Sequence, residues 1–362
     1  MTSPQSESGR ILRIIDANFN RISEGLRLLE EIARMFLDDA GLTQQLKSLR
    51  HDVLRSDASF QEQLLQSRNS AGDVGVDIEV PGEEKGRELP ILLVANARRV
   101  QESLRSLEEM AKLSGLPAGF DSEKFKHARF NLYTIEQELM ARLLRQDRQK
   151  HVSGLYIIID REALKERSHL EVSAQVIRGG ARVLQLRDKV QSRPKLLPIA
   201  RQLQALCAEH GVLFIVNDYL DVALDSDADG LHVGQEDLPV AVARELLPPG
   251  KLLGCSVSTV KQALKAQSEG ADYVAVEAIY PTASKTSTTT PVKVVGLEML
   301  RRVRKAVTLP VVAIGGITVD NVSQVMSAVA DSVAVISAVL GAVSPEKAAR
   351  QMAAKIDGNK NP

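Results

Sequence analysis

The sequence predicts an α/β protein whose carboxyl-terminal part is a (β/α)8 (TIM) barrel, preceded by an all-α domain of four-helix type built from a two-helix repeat. Three observations carry this. Residues 1–150 contain 6 valines and residues 151–362 contain 30, and the branched Cβ of valine suits a pleated strand, whereas Leu, Glu, Gln and Arg fill helices. After Gly154, eight Val/Ile-rich runs alternate with amphipathic stretches, the pattern of parallel strands joined by crossover helices. Before residue 150, one motif is written twice at an offset of 78 residues, the mark of a duplicated unit. At 362 residues the chain is more than twice the roughly 150 usual for one domain, so two domains are expected, 1–150 and 151–362.

In the first domain Asn18, Arg21, Glu24, Leu26, Arg27, Leu29, Glu30, Glu31 and Ala33 recur as Asn96, Arg99, Glu102, Leu104, Arg105, Leu107, Glu108, Glu109 and Ala111. The helices that follow align more weakly, with Lys47 and Arg50 matching Lys126 and Arg129. The repeats therefore span about 10–60 and 88–148, each a helix pair, with approximate two-fold symmetry. Between them RNSAGDVGVDIEVPGEEKGRELP reads as a long polar loop. At about 100° per residue, Asn18, Ile22, Gly25, Leu29, Ile32 and Phe36 share one helix face, with Arg21 at its edge. Two readings stay open. Either these polar residues cap and cross-link the bundle, with Arg21–Glu24 and Arg27–Glu31 as ordinary surface pairs, or Asn18, Arg21, Asn96 and Arg99 line a pocket for an anion. Neither a GxxxxGK[ST] loop nor a GxGxxG after a strand occurs here, so a conventional nucleotide-binding fold is not expected.

The strand runs of the second domain are LYIIID, RVLQLRD, LFIVND, GLHVG, LLGCSV, DYVAVEAI, VVAIGGI and SVAVISAVL. Chemistry in such barrels collects at the carboxyl ends of the strands. There Gln185, Arg187 and Lys189 alternate and so share one side of the second strand, and inward cations are costly unless an anion meets them. The third run ends Asn217-Asp218 and the fourth leads to His232 and Asp237. Two carboxylates from adjacent strand ends suit Mg²⁺ with water and phosphate oxygens, while helix capping is the ordinary alternative for Asp237. The sixth run leads into Tyr280-Pro-Thr282-Ala-Ser284-Lys285 and further hydroxyls, either a solvated loop or a source of phosphate donors. The seventh and eighth runs end at Gly315-Gly316 and Ile336-Ser337, where barrels often bind phosphate. Two phosphorylated small molecules and no redox cofactor fit that layout.

Composition removes other classes. Lys plus Arg and Asp plus Glu each number 46, so there is no basic nucleic-acid footprint, and aromatics at 3% without Trp leave few base-stacking surfaces. Two cysteines, Cys207 and Cys255, form no staple framework or metal spacing and are expected as buried thiols. No apolar run reaches about 18 residues and the start MTSPQSESGR carries no signal-like stretch, so a cytoplasmic protein with no membrane partner is expected.

The segments QLRDK, ND, HVGQED, Gly254-Cys255-Ser256, YPTASK, GGI and VIS, in this order and spacing, resemble the thiamine-phosphate synthase family over essentially all of residues 152–355. The resemblance implies a barrel that joins a hydroxymethylpyrimidine diphosphate to a thiazole phosphate, giving thiamine phosphate and diphosphate. It implies that Gln185, Arg187, Lys189, Asn217, Ser256 and Lys285, with Leu186 and Asp188 in the same segment, hold the pyrimidine diphosphate. Arg187, Lys189, Ser256 and Lys285 would act on the departing diphosphate, and Asp218 and Asp237 would bind Mg²⁺. Thr282, Ala283, Ser284, Gly316, Ile336 and Ser337 would hold the thiazole phosphate. In the implied mechanism diphosphate leaves first and the thiazole nitrogen captures a pyrimidinylmethyl cation, so His232 is read as a packing residue rather than a general base. The chain departs from the family pattern in Glu277-Ala278, where Gly-Pro is usual, and in Ser284, where Thr is frequent. A related barrel that isomerises a thiazole carboxylate phosphate would not need Lys189, Lys285 and both aspartates. NFNRISEGLRLLEE resembles the helical module fused to some bacterial members, for which phosphorylation of hydroxymethylpyrimidine phosphate has been proposed; a scaffold that makes a homo-oligomer is the other expectation.

Overall fold

The structure, a computed structural model, describes residues 7–68, 88–117, 119–282 and 293–358. The chain divides into two compact units that meet between Leu143 and Leu144. The first holds α1 (Glu7–Glu31), α2 (Ala40–Leu54), α3 (Ala58–Ser67), α4 (Leu89–Met110) and most of α5 (Ser122–Lys150). The two repeats correspond to α1 with α2 and α4 with α5. Their kinship extends to side chains: Arg50 pairs with Glu30 at 2.9 Å and Arg129 with Glu108 at 3.0 Å, so each repeat ties its second helix to its first by the same ion pair. The amphipathic face expected on α1 is buried at Asn18, Ile22, Gly25, Leu29 and Ile32, but Phe36 is 44% exposed. The cause is a π-helical turn over Ile32–Phe36, whose wider winding rotates the last residue off the stripe. The short α3 belongs to neither repeat; Asp57 caps it by accepting from Phe60 N, and the Phe60 ring packs on Phe120.

The second unit is a closed barrel of eight parallel strands in sequential order. They are β1 (Gly154–Asp160), β2 (Ala181–Arg187), β3 (Leu213–Asn217), β4 (Gly230–Val233), β5 (Leu252–Val257), β6 (Tyr273–Val276), β7 (Val311–Ile314) and β8 (Ser332–Val335). Each falls on one of the predicted runs, with β1 and β2 beginning one residue earlier. Between them run α6 (Arg161–Leu164), α7 (His169–Arg178), α8 (Arg193–Glu209), α9 (Leu220–Asp225), α10 (Val240–Leu246), α11 (Val260–Ser268), α12 (Gly296–Ala306) and α13 (Val322–Ser327), with α14 (Ser337–Leu340) and α15 (Pro345–Gly358) after β8. The last run, SVAVISAVL, is strand only to Val335; its second half is α14. The core is largely aliphatic, with Val183, Ile215, Val274, Val312 and Val333 fully buried beside Tyr156, Phe214 and Tyr273, and the two cysteines are buried free thiols. No described helix is long and apolar enough to cross a membrane.

The amino-terminal rim of the barrel is built on three aspartates. Asp229, Asp272 and Asp331 precede β4, β6 and β8, and their carboxylates accept the backbone N–H of Phe214, Leu253 and Val311 at 2.9, 2.8 and 2.8 Å. The last turns of α5 reach two of them. Arg145 lies 3.4 Å from Asp272 and Arg148 3.4 Å from Asp229, while Gln149 donates to the Asp272 carbonyl at 2.7 Å. Residues 144–150 thus belong to the second compact unit.

Candidate active site

The carboxyl ends of the strands enclose a cavity of about 360 Å³, lined by Gln185, Arg187, Lys189, Asn217, Asp218, Asp237 and Ser256 among others. All but three of the residues expected at the pyrimidine diphosphate and metal positions therefore meet in one place. Leu186 and Asp188 do not line it. Strand alternation turns Leu186 to the other side, fully buried, and the Asp188 carboxylate accepts from Val190 N, Gln191 N and Gln191 Nε2 at 2.9, 2.8 and 3.0 Å. Asp188 thereby shapes the turn that presents Lys189. Lys285 falls outside the described residues, as do Ala283 and Ser284.

Arg187 is not the unpaired inward cation that the sequence implied. Buried at the end of β2, it is ion-paired with Asp160 at the end of β1, its register partner across the two strands. The same Asp160 caps α6 by accepting from Glu162 N and Ala163 N at 3.0 and 3.2 Å. The pairing offsets the cost of burying either charge and fixes the guanidinium at the cavity wall. Lys189 is 40% exposed, with Nζ 3.1 Å from Asp218.

Asp218 follows β3 with φ +64°, a left-handed conformation that Asp tolerates better than most residues. Its N–H is held by the His232 carbonyl at 2.9 Å. Burial, with the hydrogen bond and like charge of Asp237 next, pushes the Asp218 carboxyl up to about 6 against the opposing pull of Lys189. Asp237 accepts from Gly234 N at 2.8 Å, a turn inside the loop after β4 that leaves its carboxylate beside Asp218. Two carboxylates pressed together at such a cost form a donor set that a hard divalent cation relieves. Among the described residues no cluster of three or more His, Cys, Asp or Glu stands ready for a metal, so further ligands of such a cation would be water or substrate oxygens.

A second cavity of about 190 Å³ adjoins the first and shares Glu277, Ile314, Ala334 and Ile336 with it. Thr282, Gly316 and Ser337 line it together with Ile336, so four of the six residues expected at the thiazole phosphate share one cavity. Its floor needs the Gly315-Gly316 pair. Both have positive φ, and a Cβ on Gly316 would stand 2.4 Å from the Pro281 carbonyl oxygen. Tyr280 N donates to the Gly315 carbonyl at 2.9 Å, docking the segment after β6 onto the end of β7.

Among the residues of the larger cavity or its wall that sequence reasoning missed are Asp160, Tyr156, Tyr273 and Lys293. Alternation along LYIIID, which puts Tyr156, Ile158 and Asp160 on one side, held the signal for two of them. In the helical unit, Asn18 and Asn96 are buried and donate to the carbonyls of Ile14 and Leu92 at 2.8 and 2.9 Å, one turn back in their own helices. Arg21 and Arg99 are exposed.

Comparison with known proteins bears on this geometry. Residues 155–339 match the family model described as thiamine monophosphate synthase, and residues 13–138 match the ThiD2 family. The thiamine-phosphate synthase of Thermosynechococcus vestitus is 38% identical over 352 residues, covering 97% of this chain and 96% of that one. The thiamine-phosphate synthase of Rhodopirellula baltica is 36% identical, covering 96% and 92%. Among solved structures, thiamine phosphate pyrophosphorylase from Pyrococcus furiosus aligns with a TM-score of 0.54 at 36% identity, covering 59% of this chain and 99% of that one.

Proposed function

The chain belongs to the thiamine-phosphate synthase family, and from that membership we propose that its two adjoining cavities hold the pyrimidine diphosphate and the thiazole phosphate side by side for condensation to thiamine phosphate. The observation that carries the reading is the shared wall of the two cavities. A larger chamber edged by Lys189, Arg187 and two aspartates opens onto a smaller one floored by Gly315-Gly316, so two phosphorylated molecules meet at one boundary.

The chain's own groups divide the work. Lys189 and Arg187 place positive charge where the diphosphate would gain negative charge as its bond to the pyrimidine carbon breaks, and such preorganised charge is the largest single lever on this kind of step. Asp160 keeps Arg187 aimed without neutralising every N–H it carries. Asp218 and Asp237 fit Mg²⁺, which when bound would supply further positive charge to the diphosphate oxygens. On the other side, Thr282, Gly316 and Ser337 would hold the thiazole phosphate so that the thiazole nitrogen faces the electron-poor carbon. Lys285 and Ser284 would join from the segment between Thr282 and Lys293. No protein nucleophile is needed, in keeping with a larger cavity in which His232 is hydrogen-bonded through both ring nitrogens.

Release of diphosphate that requires both substrates and Mg²⁺ tests the reading directly. Lys189→Ala is expected to lower turnover by about 10²–10³ with the fold intact, the magnitude seen when one group that stabilises developing charge is removed. Wild-type rates in Lys189→Ala and Asp218→Ala together would overturn it.

A further inference from the structure

Five buried side chains that line the larger cavity form an unbroken hydrogen-bonded chain across the barrel. Gln185 Nε2 donates to the Tyr156 hydroxyl at 2.7 Å, the Tyr156 and Tyr273 hydroxyls are 3.1 Å apart, Tyr273 lies 3.1 Å from His232 Nδ1, and His232 Nε2 lies 3.1 Å from Ser256 Oγ. Its two ends, Gln185 and Ser256, are both expected pyrimidine contacts. The three residues between them have no role in the mechanism above.

The proton positions follow from the ends inward. An amide nitrogen only donates, so Tyr156 accepts from Gln185 and must send its own proton to Tyr273. Tyr273 then sends its proton to Nδ1 of His232, which accepts, and the imidazole proton lies on Nε2 and goes to Ser256 Oγ. Any other order leaves a buried proton with no acceptor, at the full cost of its desolvation. Burial pushes both phenols above their ordinary value, so neither releases its proton at neutral pH. Two groups remain for a ligand: Gln185 Oε1, an acceptor, and the Ser256 hydroxyl proton, a donor.

The backbone is built to admit this chain. A Cβ on Gly254 in β5 would stand 2.1 Å from Tyr273 Cζ, 2.4 Å from its hydroxyl and 2.5 Å from His232 Nδ1. Only glycine leaves room for the Tyr273–His232 contact.

We propose that Tyr156, Tyr273 and His232 are positioning residues that set Gln185 as acceptor and Ser256 as donor, and thereby make the site select an aminopyrimidine over its oxo analogue. An aminopyrimidine offers the complement, an exocyclic amine that donates and a ring nitrogen that accepts. The oxo tautomer offers a carbonyl and a ring N–H, the reverse pair, which meets acceptor with acceptor and donor with donor. The proposal rests on the reading that the larger cavity holds the pyrimidine.

Two measurements on the full chain test it. Nitrogen-15 spectra of the labelled histidines, without substrate and with the His232 signals assigned from a His232→Asn spectrum, are expected to show a neutral ring protonated on Nε2. In Tyr273→Phe the Nδ1 partner is lost while Nε2 keeps Ser256, so the Nδ1 resonance is expected to move downfield to that of an acceptor nitrogen that has lost its hydrogen bond. In kinetics, the ratio of kcat/KM for the aminopyrimidine diphosphate over its oxo analogue is expected to fall about tenfold in Tyr273→Phe, with KM for the thiazole phosphate unchanged, the scale of one lost buried hydrogen bond. Tyr156→Phe should lower the same ratio, and the double variant should lower it no further, because one break already interrupts the chain. A wild-type ring protonated on Nδ1, an unchanged ratio in a folded Tyr273→Phe, or additive effects of the two variants would each overturn the proposal. Absence of diphosphate release by the wild type would instead overturn the functional reading, and the spectra do not depend on it.

Discussion

Asp218 concentrates the conflict between stability and function in one residue. With its carboxyl pushed up to about 6 from an ordinary 3.8, the folded chain holds a proton that the unfolded chain has already lost between those values. The stability associated with that proton is therefore fully present below about pH 4 and is lost as pH rises through 6. Asp218→Asn removes the ionisation. Its stability relative to wild type is expected to be near parity at pH 4 and to grow to a gain on the order of 2 kcal/mol at pH 8, allowing for partial screening. Denaturant titrations of the two proteins across pH 4–8 check this, and a constant difference would mean that the strain lies elsewhere. At pH 8 added Mg²⁺ is expected to raise the melting temperature of wild type but not of Asp218→Asn, since only the former gains a compensating charge. Arg187 shows the opposite arrangement: its charge is compensated beforehand by Asp160, so it costs little to keep in place.

At the scale of elements, the even strands share one device. Each of β4, β6 and β8 is preceded by Ala-Asp, and each aspartate donates its N–H to the carbonyl of a residue on the neighbouring odd strand while its carboxylate accepts that residue's N–H. The device pins register at the amino-terminal rim, away from the chemistry at the other end. Asp272 is the most buried of the three and is shared by Arg145 and Arg244. Asp272→Ala would leave Leu253 N–H and two arginines without their carboxylate, and is expected to cost about 3 kcal/mol. Asp331, 42% exposed in its pair with Arg304, is expected to cost about 1 kcal/mol; equal losses by chemical denaturation would refute the burial argument. These patterns mark how far sequence reading reaches. The strands were legible because their Val/Ile runs are short and regularly spaced, and Gln185, Lys189 and Asn217 because polar residues at strand ends break an apolar rhythm. Asp160 was missed because a lone Asp after LYIII reads as a helix cap, which it also is; its pairing with Arg187 depends on register between two strands. Tyr156 and Tyr273 look like core residues from composition alone, and only the closing of the barrel brings their hydroxyls together from 117 positions apart. In the helical unit the repeated Glu–Arg pair was visible as aligned letters, but the π-helical turn that ends α1 had no letter of its own.

For the whole molecule, part of the equality of 46 basic and 46 acidic residues lies in local ion pairs such as those on the barrel rim, and this bears on where the chain can be cut. A cut after residue 150, where valine content changes, would remove Arg145, Arg148 and Gln149 from the barrel. Asp229 would lose its arginine and Asp272 one of its two, the Asp272 carbonyl would lose the Gln149 amide, and the Gly250 carbonyl would lose the 2.8 Å hydrogen bond from Arg148. A cut at the seam between Leu143 and Leu144 keeps all of these. Residues 144–362 are therefore expected to fold with a melting temperature roughly 5–10 °C above that of residues 151–362, the shift that a few kcal/mol produces in a domain of this size. Both pieces should release diphosphate at similar rates at low temperature, because the lost contacts lie at the end of the barrel opposite the site. ATP-dependent phosphorylation of hydroxymethylpyrimidine phosphate, if the full chain shows it and residues 144–362 do not, would assign that step to the helical unit. Equal melting temperatures for the two pieces would show that the end of α5 contributes nothing to the barrel, and would return the boundary to the position that composition suggests.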